Sequence, residues 1–248
     1  MPAMTRAVTV RPEEDALLGR PRQAALLTAA VVAVTVVVFA LVADHGVLAR
    51  IQRVDDAWLR LMISGRTAPL TATAKVLNVL GLVYVTLPVR MALAGFLALR
   101  RRWWHLTAFA AAIVASEVLI GSLKGSYDRA RPPGSLVATS GASFPSGHAI
   151  AASVTVVAAV IALVPAGRRR IGWGAAAAAF SIVMGLSRAY LGAHWLSDAI
   201  AGILLGTSCA LVTALVTDQF QRRRNWRPQP QRAPRPASVH PPRHVRNR

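Results

Sequence analysis

Residues 24–43 form an unbroken run of twenty without a single charge, interrupted only by the hydroxyls of Thr28 and Thr35. As a helix such a run rises about 30 Å, the thickness of the hydrocarbon core of a bilayer. Five further apolar runs follow, at 76–99, 104–123, 149–165, 171–186 and 195–216. The expected fold class is therefore all-α: a six-span transmembrane helix bundle. Arg20 and Arg22 precede the first run as they would in a signal peptide. Twenty apolar residues are long for a signal core, so the run reads as a retained helix.

Composition fits this frame. Of 248 residues 54% are hydrophobic and the mean hydropathy is +0.44. One membrane domain at 24–217 accounts for most of the length. It is flanked by a cytoplasmic segment at 1–23 and a basic, proline-rich cytoplasmic tail at 218–248. The tail shows no apolar periodicity and is expected to be disordered. The formal net charge of +19 would suggest nucleic acid in a soluble protein. On a polytopic chain it reads as topology and attraction to anionic lipid, with no nucleic-acid partner. The single cysteine, Cys209, can form no intrachain disulfide and no zinc site by itself.

The distribution of Lys and Arg sets the expected orientation. With the N-terminus inside, the cytoplasmic side holds nineteen and the opposite side nine. The short triplets at 100–102 and 168–170 weigh most, because they sit in short loops. The expectation is a multi-pass protein of the cell membrane with both termini cytoplasmic. Between the first two spans, Ile51, Val54, Trp58, Leu61 and Met62 recur at helical spacing. The segment 51–75 thus reads as an interfacial amphipathic helix on the outer leaflet, or equally as a cap over the bundle.

Three polar blocks then fall on the extracytoplasmic face. The first runs from Lys124 to Arg131-Pro132. The second is Pro145-Ser146-Gly147-His148. The third is Ser187-Arg188, five residues, His194, three residues, Asp198. Each alone has an ordinary explanation: a snorkelling lysine, a loop-to-helix junction, a satisfied histidine. Three cations and two histidines at helix ends on one membrane face do not. Together they suit phosphoryl chemistry, which needs its oxygens neutralised, a nucleophile in line and a proton for the leaving oxygen. Lys124, Arg131 and Arg188 supply charge, the arginines with bidentate geometry. The helix opening at Ser146, Gly147 and His148 offers backbone N–H groups and a hydroxyl to an anion. His194, expected one helical turn from an orienting Asp198, can attack phosphorus, and His148 can act as acid and then base. Asp128 and Asp198 are the only acids in these blocks, so no metal site is expected and no cofactor is required.

These blocks resemble the signature of the type 2 phosphatidic acid phosphatase superfamily, membrane branch, a group related to vanadium haloperoxidases. The pattern is Lys, six residues, Arg-Pro; Pro-Ser-Gly-His; Ser-Arg, five residues, His, three residues, Asp, and every fixed position is met between Lys124 and Asp198. The resemblance implies a metal-independent phosphatase with His194 as nucleophile and His148 as acid–base. Lys124, Arg131, Ser146, Gly147 and Arg188 would bind the phosphate. The substrate would be a lipid phosphomonoester such as phosphatidic acid, or a polyprenyl diphosphate such as the undecaprenyl carrier. An anion transporter would explain the cations but neither histidine. Arg90 and Glu117, at similar depth in the second and third spans, are expected to pair.

Overall fold

The computed structural model describes residues 17–225, so the expectations for 1–16 and for 226–248 lie outside the described residues. Eight helices follow in chain order: α1 (Pro21–Ala43), α2 (His45–Ser64), α3 (Ala68–Leu80), α4 (Val83–Leu99), α5 (Trp103–Tyr127), α6 (Gly147–Leu163), α7 (Arg168–Tyr190) and α8 (Leu196–Asn225). Among the described residues there is no strand.

Four helices, α1, α5, α7 and α8, are long and apolar enough to cross a membrane. The run expected as one span over 76–99 is instead the end of α3 joined to α4, with the two bent by 55° at a short break. The break falls at Gly81 and Leu82, where the helical pattern of hydrogen bonds is interrupted. Together α3 and α4 pass the same test of length and apolarity, as one bent pair. The segment expected as one amphipathic helix over 51–75 is likewise divided between α2 and α3. A capping threonine explains the division, since Thr67 accepts from Leu70 N at 3.4 Å and starts α3. The apolar helix α6 has 17 residues and about 26 Å of length.

Helix α6 sits at the centre, packed against α5, α7 and α8. Its sequence is apolar all round and rich in alanine, as a helix with neighbours on every side requires. The approach of α8 is closest at Gly202 and Gly206, four residues apart. A Cβ on Gly202 would lie 2.6 Å from Ser146 O, and one on Gly206 would lie 2.1 Å from Ser153 Oγ and 2.6 Å from Ile150 O. Small residues at this spacing let two helix backbones meet where lipid supplies no hydrophobic drive. That contact fixes the start of α6 beside the start of α8. By contrast, large apolar side chains such as Leu26, Val83, Leu99, Val114 and Ile171 point outward, the skin expected of a lipid-facing bundle.

Arg90 and Glu117 do pair, at 2.8 Å, and Arg90 also donates to Thr155 Oγ1 at 2.9 Å. The pair ties α4, α5 and α6. Helix α8 continues to Asn225, eight residues beyond the expected membrane-domain boundary at 217. Asp218 is buried there, accepting from Leu18 N and Arg222, which carries the helix on past its apolar stretch.

Candidate active site

The spacing in the third block has a local cause. Helix α7 ends in a Schellman turn: Gly192 N bonds Ala189 O, and Ala193 N bonds Arg188 O, with Gly192 at φ +67°. Glycine takes that conformation without the penalty a side chain would incur. Arg188 therefore points from the last turn of α7, and His194 emerges from the turn itself. Helix α8 begins after it, and the Asp198 carboxylate reaches back to accept from Trp195 N at 2.9 Å, one half of a capping box.

This corrects the expected relation between His194 and Asp198. His194 precedes α8 and shares no helix face with Asp198. Its Nδ1 lies 2.7 Å from Ser143 O and 3.7 Å from Asp198 Oδ2. The backbone carbonyl of Ser143 is the nearer acceptor, and the Asp198 carboxylate faces the same ring nitrogen. A carbonyl can only accept, so Nδ1 carries the proton and Nε2 keeps its lone pair. Arg131 Nη1 donates to that Nε2 at 3.2 Å. Burial holds the imidazole below its ordinary range; Asp198 opposes this, while Arg131 and Arg188 reinforce it.

The loop between α5 and α6 delivers the other cations. Phe144 is fully buried and packs on Tyr127 and Phe39 with ring centroids 4.7 and 5.0 Å away, which pins the loop against α5 and α1. Arg131 clamps its backbone, donating to Gly141 O at 2.9 Å and Ser140 O at 2.7 Å, and ties it to the α7–α8 turn through Ala193 O at 2.7 Å. Lys124 and Arg131 share Ala142 O, at 3.0 and 3.2 Å. Ser146 N donates to Asp198 O at 3.1 Å, joining the second block to the third.

The structure thus brings Lys124, Arg131, His194 and Asp198 into one connected group. Arg188 and His148 meet elsewhere: both contact Asn78 of α3, Arg188 Nη1 through the side-chain Oδ1 and His148 Nε2 through the backbone carbonyl at 3.1 Å. No protein hydrogen bond links His148 directly to His194, although each lies within electrostatic reach of the other. Ser146 does not cap α6 with its side chain; its hydroxyl is buried without a partner, as is Arg188 Nε. Gly147 faces open space. Two buried donors awaiting an acceptor, one of them on Arg188, with the cations Lys124 and Arg131 beside them, describe a place for an oxyanion.

Sequence reasoning assigned no role to the residues beneath this group. Arg129 is buried and donates to Asp198 Oδ1 at 2.7 Å, Asp55 Oδ2 at 2.8 Å, Gln52 Oε1 at 2.7 Å and Ser197 Oγ at 2.7 Å. Asp55 of α2 accepts in turn from Ser197 N at 2.9 Å. Arg129 is the ion-pair partner of Asp198 and offsets part of its charge. The signal was present: Arg129 stands inside the first block, and Gln52 and Asp55 occupy neighbouring positions on the polar side of an amphipathic helix.

A family model described as PAP2 superfamily matches residues 103–222, just under half of the chain, and this stretch holds all three blocks. That match, with this site, supports phosphoric ester hydrolase activity. Among solved structures it is similar to a transmembrane PAP2-type phosphatidylglycerolphosphate phosphatase from Bacillus subtilis, with 22% identity and a TM-score of 0.65 over 79% of this chain and 96% of that one. It is also similar to LpxE of Aquifex aeolicus, with 24% identity and a TM-score of 0.52 over 62% of this chain and 91% of that one. At these identities the likeness is one of fold. No curated protein matches the sequence. The PAP2 match begins at α5, so α1 to α4, which carry Asp55 and Asn78, lie outside it.

Proposed function

We propose that this protein hydrolyses lipid phosphomonoesters at the extracytoplasmic face of the cell membrane, by way of a phosphohistidine on His194 and without a metal ion. The observation that carries the reading is the His194 tautomer: Nδ1–H is committed to Ser143 O, and the Nε2 lone pair lies against the Arg131 guanidinium. A phosphoryl group held by Arg131, Lys124 and Arg188 would sit next to that lone pair. Nε2 forms the P–N bond as the P–O bond to the lipid breaks, and the departing oxygen takes a proton from protonated His148. Water then gives a proton to His148 and attacks phosphorus. The P–N bond breaks with its electron pair returning to Nε2, and inorganic phosphate leaves. The positive charge on the phosphorylated ring is offset by Asp198, 3.7 Å from Nδ1. Ser146 and the first N–H groups of α6 would complete the anion cradle.

The bundle supports six crossings, with α3 and α4 as one bent span and α6 as a short central one. The site occupies the ends of α5 and α7 and the starts of α6 and α8, and the arginine triplets at 100–102 and 168–170 lie at the other end. The positive-inside bias then puts the site outside and both termini inside. Helix α2 would lie along the outer leaflet, with its Asp55 face turned toward the site.

The B. subtilis phosphatase acts, by its name, on a phosphatidylglycerolphosphate, a lipid phosphomonoester, and this favours that class over a diphosphate. The test is phosphate release by the purified protein from phosphatidic acid, phosphatidylglycerolphosphate and undecaprenyl diphosphate in detergent. The phosphomonoesters should be turned over in EDTA, and H194A should release nothing while melting like the wild type. Full turnover by H194A would sink the phosphohistidine, and activity that vanishes in EDTA and returns with Mg²⁺ would sink the metal-free reading. A strict preference for the diphosphate would replace the proposed substrate class.

A further inference from the structure

Asn78 lies outside every motif of the site and outside the matched region, yet it is the one described residue hydrogen-bonded to both Arg188 and His148. It sits in the last turn of α3, half-buried, in a stretch that is otherwise apolar from Val76 to Leu82. A side-chain amide placed there needs a partner and has one, and the backbone carbonyl of the same residue has another. Its Oδ1 accepts from Arg188 Nη1, and its carbonyl accepts from His148 Nε2.

The consequences for the two partners are specific. Arg188 is held by one corner of the guanidinium. Nε has no partner and no described residue accepts from Nη2, so the Nε–Nη2 edge, the one that grips two oxygens side by side, is left for a ligand. On His148, the carbonyl fixes the proton of the neutral ring on Nε2 and leaves Nδ1 as its basic nitrogen. The turn after Asn78 is shaped to the ring, since a Cβ on Gly81 would lie 2.3 Å from His148 Cδ2. Helix α3 is itself tethered to the end of α7: Tyr190 Oη lies 2.9 Å from Thr71 Oγ1 and accepts from Thr67 N at 3.2 Å. Asn78 is thereby held in register with Arg188, which lies two residues before Tyr190.

We propose that Asn78 is a positioning residue of the phosphatase site, holding the Arg188 guanidinium with its Nε–Nη2 edge toward the phosphate and fixing the protonation of His148 from the α3–α4 break. The proposal rests on the phosphatase reading of the site. It also makes the break at Gly81 and Leu82 part of the active site, though it lies in the half of the chain that carries no motif.

The experiment uses the purified full-length protein and orthovanadate, a phosphate-sized oxyanion, with binding measured by calorimetry and turnover measured on a short-chain phosphatidic acid. N78A removes one charge-assisted hydrogen bond on Arg188 and should weaken vanadate binding about tenfold, with KM rising more than kcat falls. In an R188K background, where the fork is already gone, the same substitution should change vanadate binding less than about twofold. N78D keeps the size and the acceptor but places a carboxylate beside the anion, so it should bind vanadate more weakly than N78A. Wild-type vanadate affinity in N78A or N78D, or an N78A effect undiminished in the R188K background, would overturn the proposal. If N78A fails to fold, N78D decides alone. A wild-type protein that neither binds vanadate nor releases phosphate would instead overturn the phosphatase reading.

Discussion

Arg129 is the residue whose removal should harm this protein most for its distance from the reacting atoms. It is 8% exposed and serves two carboxylates, Asp55 at 2% and Asp198 at 0%. R129M keeps the length and apolar stem but leaves both acids buried without a counter-charge. Removing one partner of a buried ion pair costs about 3–5 kcal/mol, mostly because the other charge is stranded. Here two are stranded, so the expected loss is at the upper end. At about 2–4 °C per kcal/mol for a chain of this size, the apparent melting temperature in detergent should fall by about 10–20 °C. D55N should cost far less, about 1–2 kcal/mol, because asparagine still accepts from Arg129 and Ser197 and only one charge is lost. The two substitutions should also be non-additive. With Asp55 already neutral, R129M strands only Asp198, so the double variant should be more stable than the sum of the single losses predicts. The assay is thermal unfolding of all three variants in one detergent, with phosphate release on the folded fraction. Should R129M melt within about 2 °C of the wild type and keep its turnover, the argument that Arg129 holds both acids is wrong.

Two further outcomes follow from other parts of the structure. G206A should destabilise the bundle by about 1–3 kcal/mol or more, since its Cβ would meet Ser153 Oγ at 2.1 Å and the α6 backbone at 2.6 Å, while G174A, with nothing within 4 Å, should melt like the wild type. For His194, burial depresses the folded value below the ordinary 6.5, so below that pH the unfolded chain binds a proton the folded chain refuses; stability should fall as pH drops from about 6.5, more steeply in the wild type than in H194Q, and the acid limb of turnover should lie below 6.5. A wild type and an H194Q protein with identical pH–stability curves would contradict this.

What the sequence revealed, and what it hid, divides along a physical line. Spans are composition, and α1, α5, α7 and α8 lie where apolar runs predict helices. The bend between α3 and α4 escaped notice because Gly81 is a small residue in an apolar run, and its reason is the His148 ring pressed against it from a helix 66 residues later. The Gly202–Gly206 pair could have been read as a helix-packing face, but only the structure shows that its partner is the α6 turn that begins at Ser146.

The site shows the same division in sharper form. The motif residues are recognisable because the chemistry fixes both their types and, through the Schellman turn and the capping box, their spacing. The supports are not. Ser143 aims the ring through a backbone carbonyl, for which any residue would serve, so that role leaves no trace in residue type. Asn78 and Asp55 act from α3 and α2, helices joined to the site by tertiary contact alone. An acid four residues from a histidine invites the inference that it orients the ring. In this fold the acid is occupied with Arg129, Ser143 and the N-terminus of α8, and the ring is aimed by the loop. Asp198 is therefore a joint between three elements as well as the charged neighbour of the ring. This makes a distinguishing claim about D198N: an asparagine still carries one acceptor, so part of the joint persists and folding should suffer more than the aim of His194. The variant should lose melting temperature in proportion to its lost activity, whereas a true orienting acid would lose activity in a protein that melts normally.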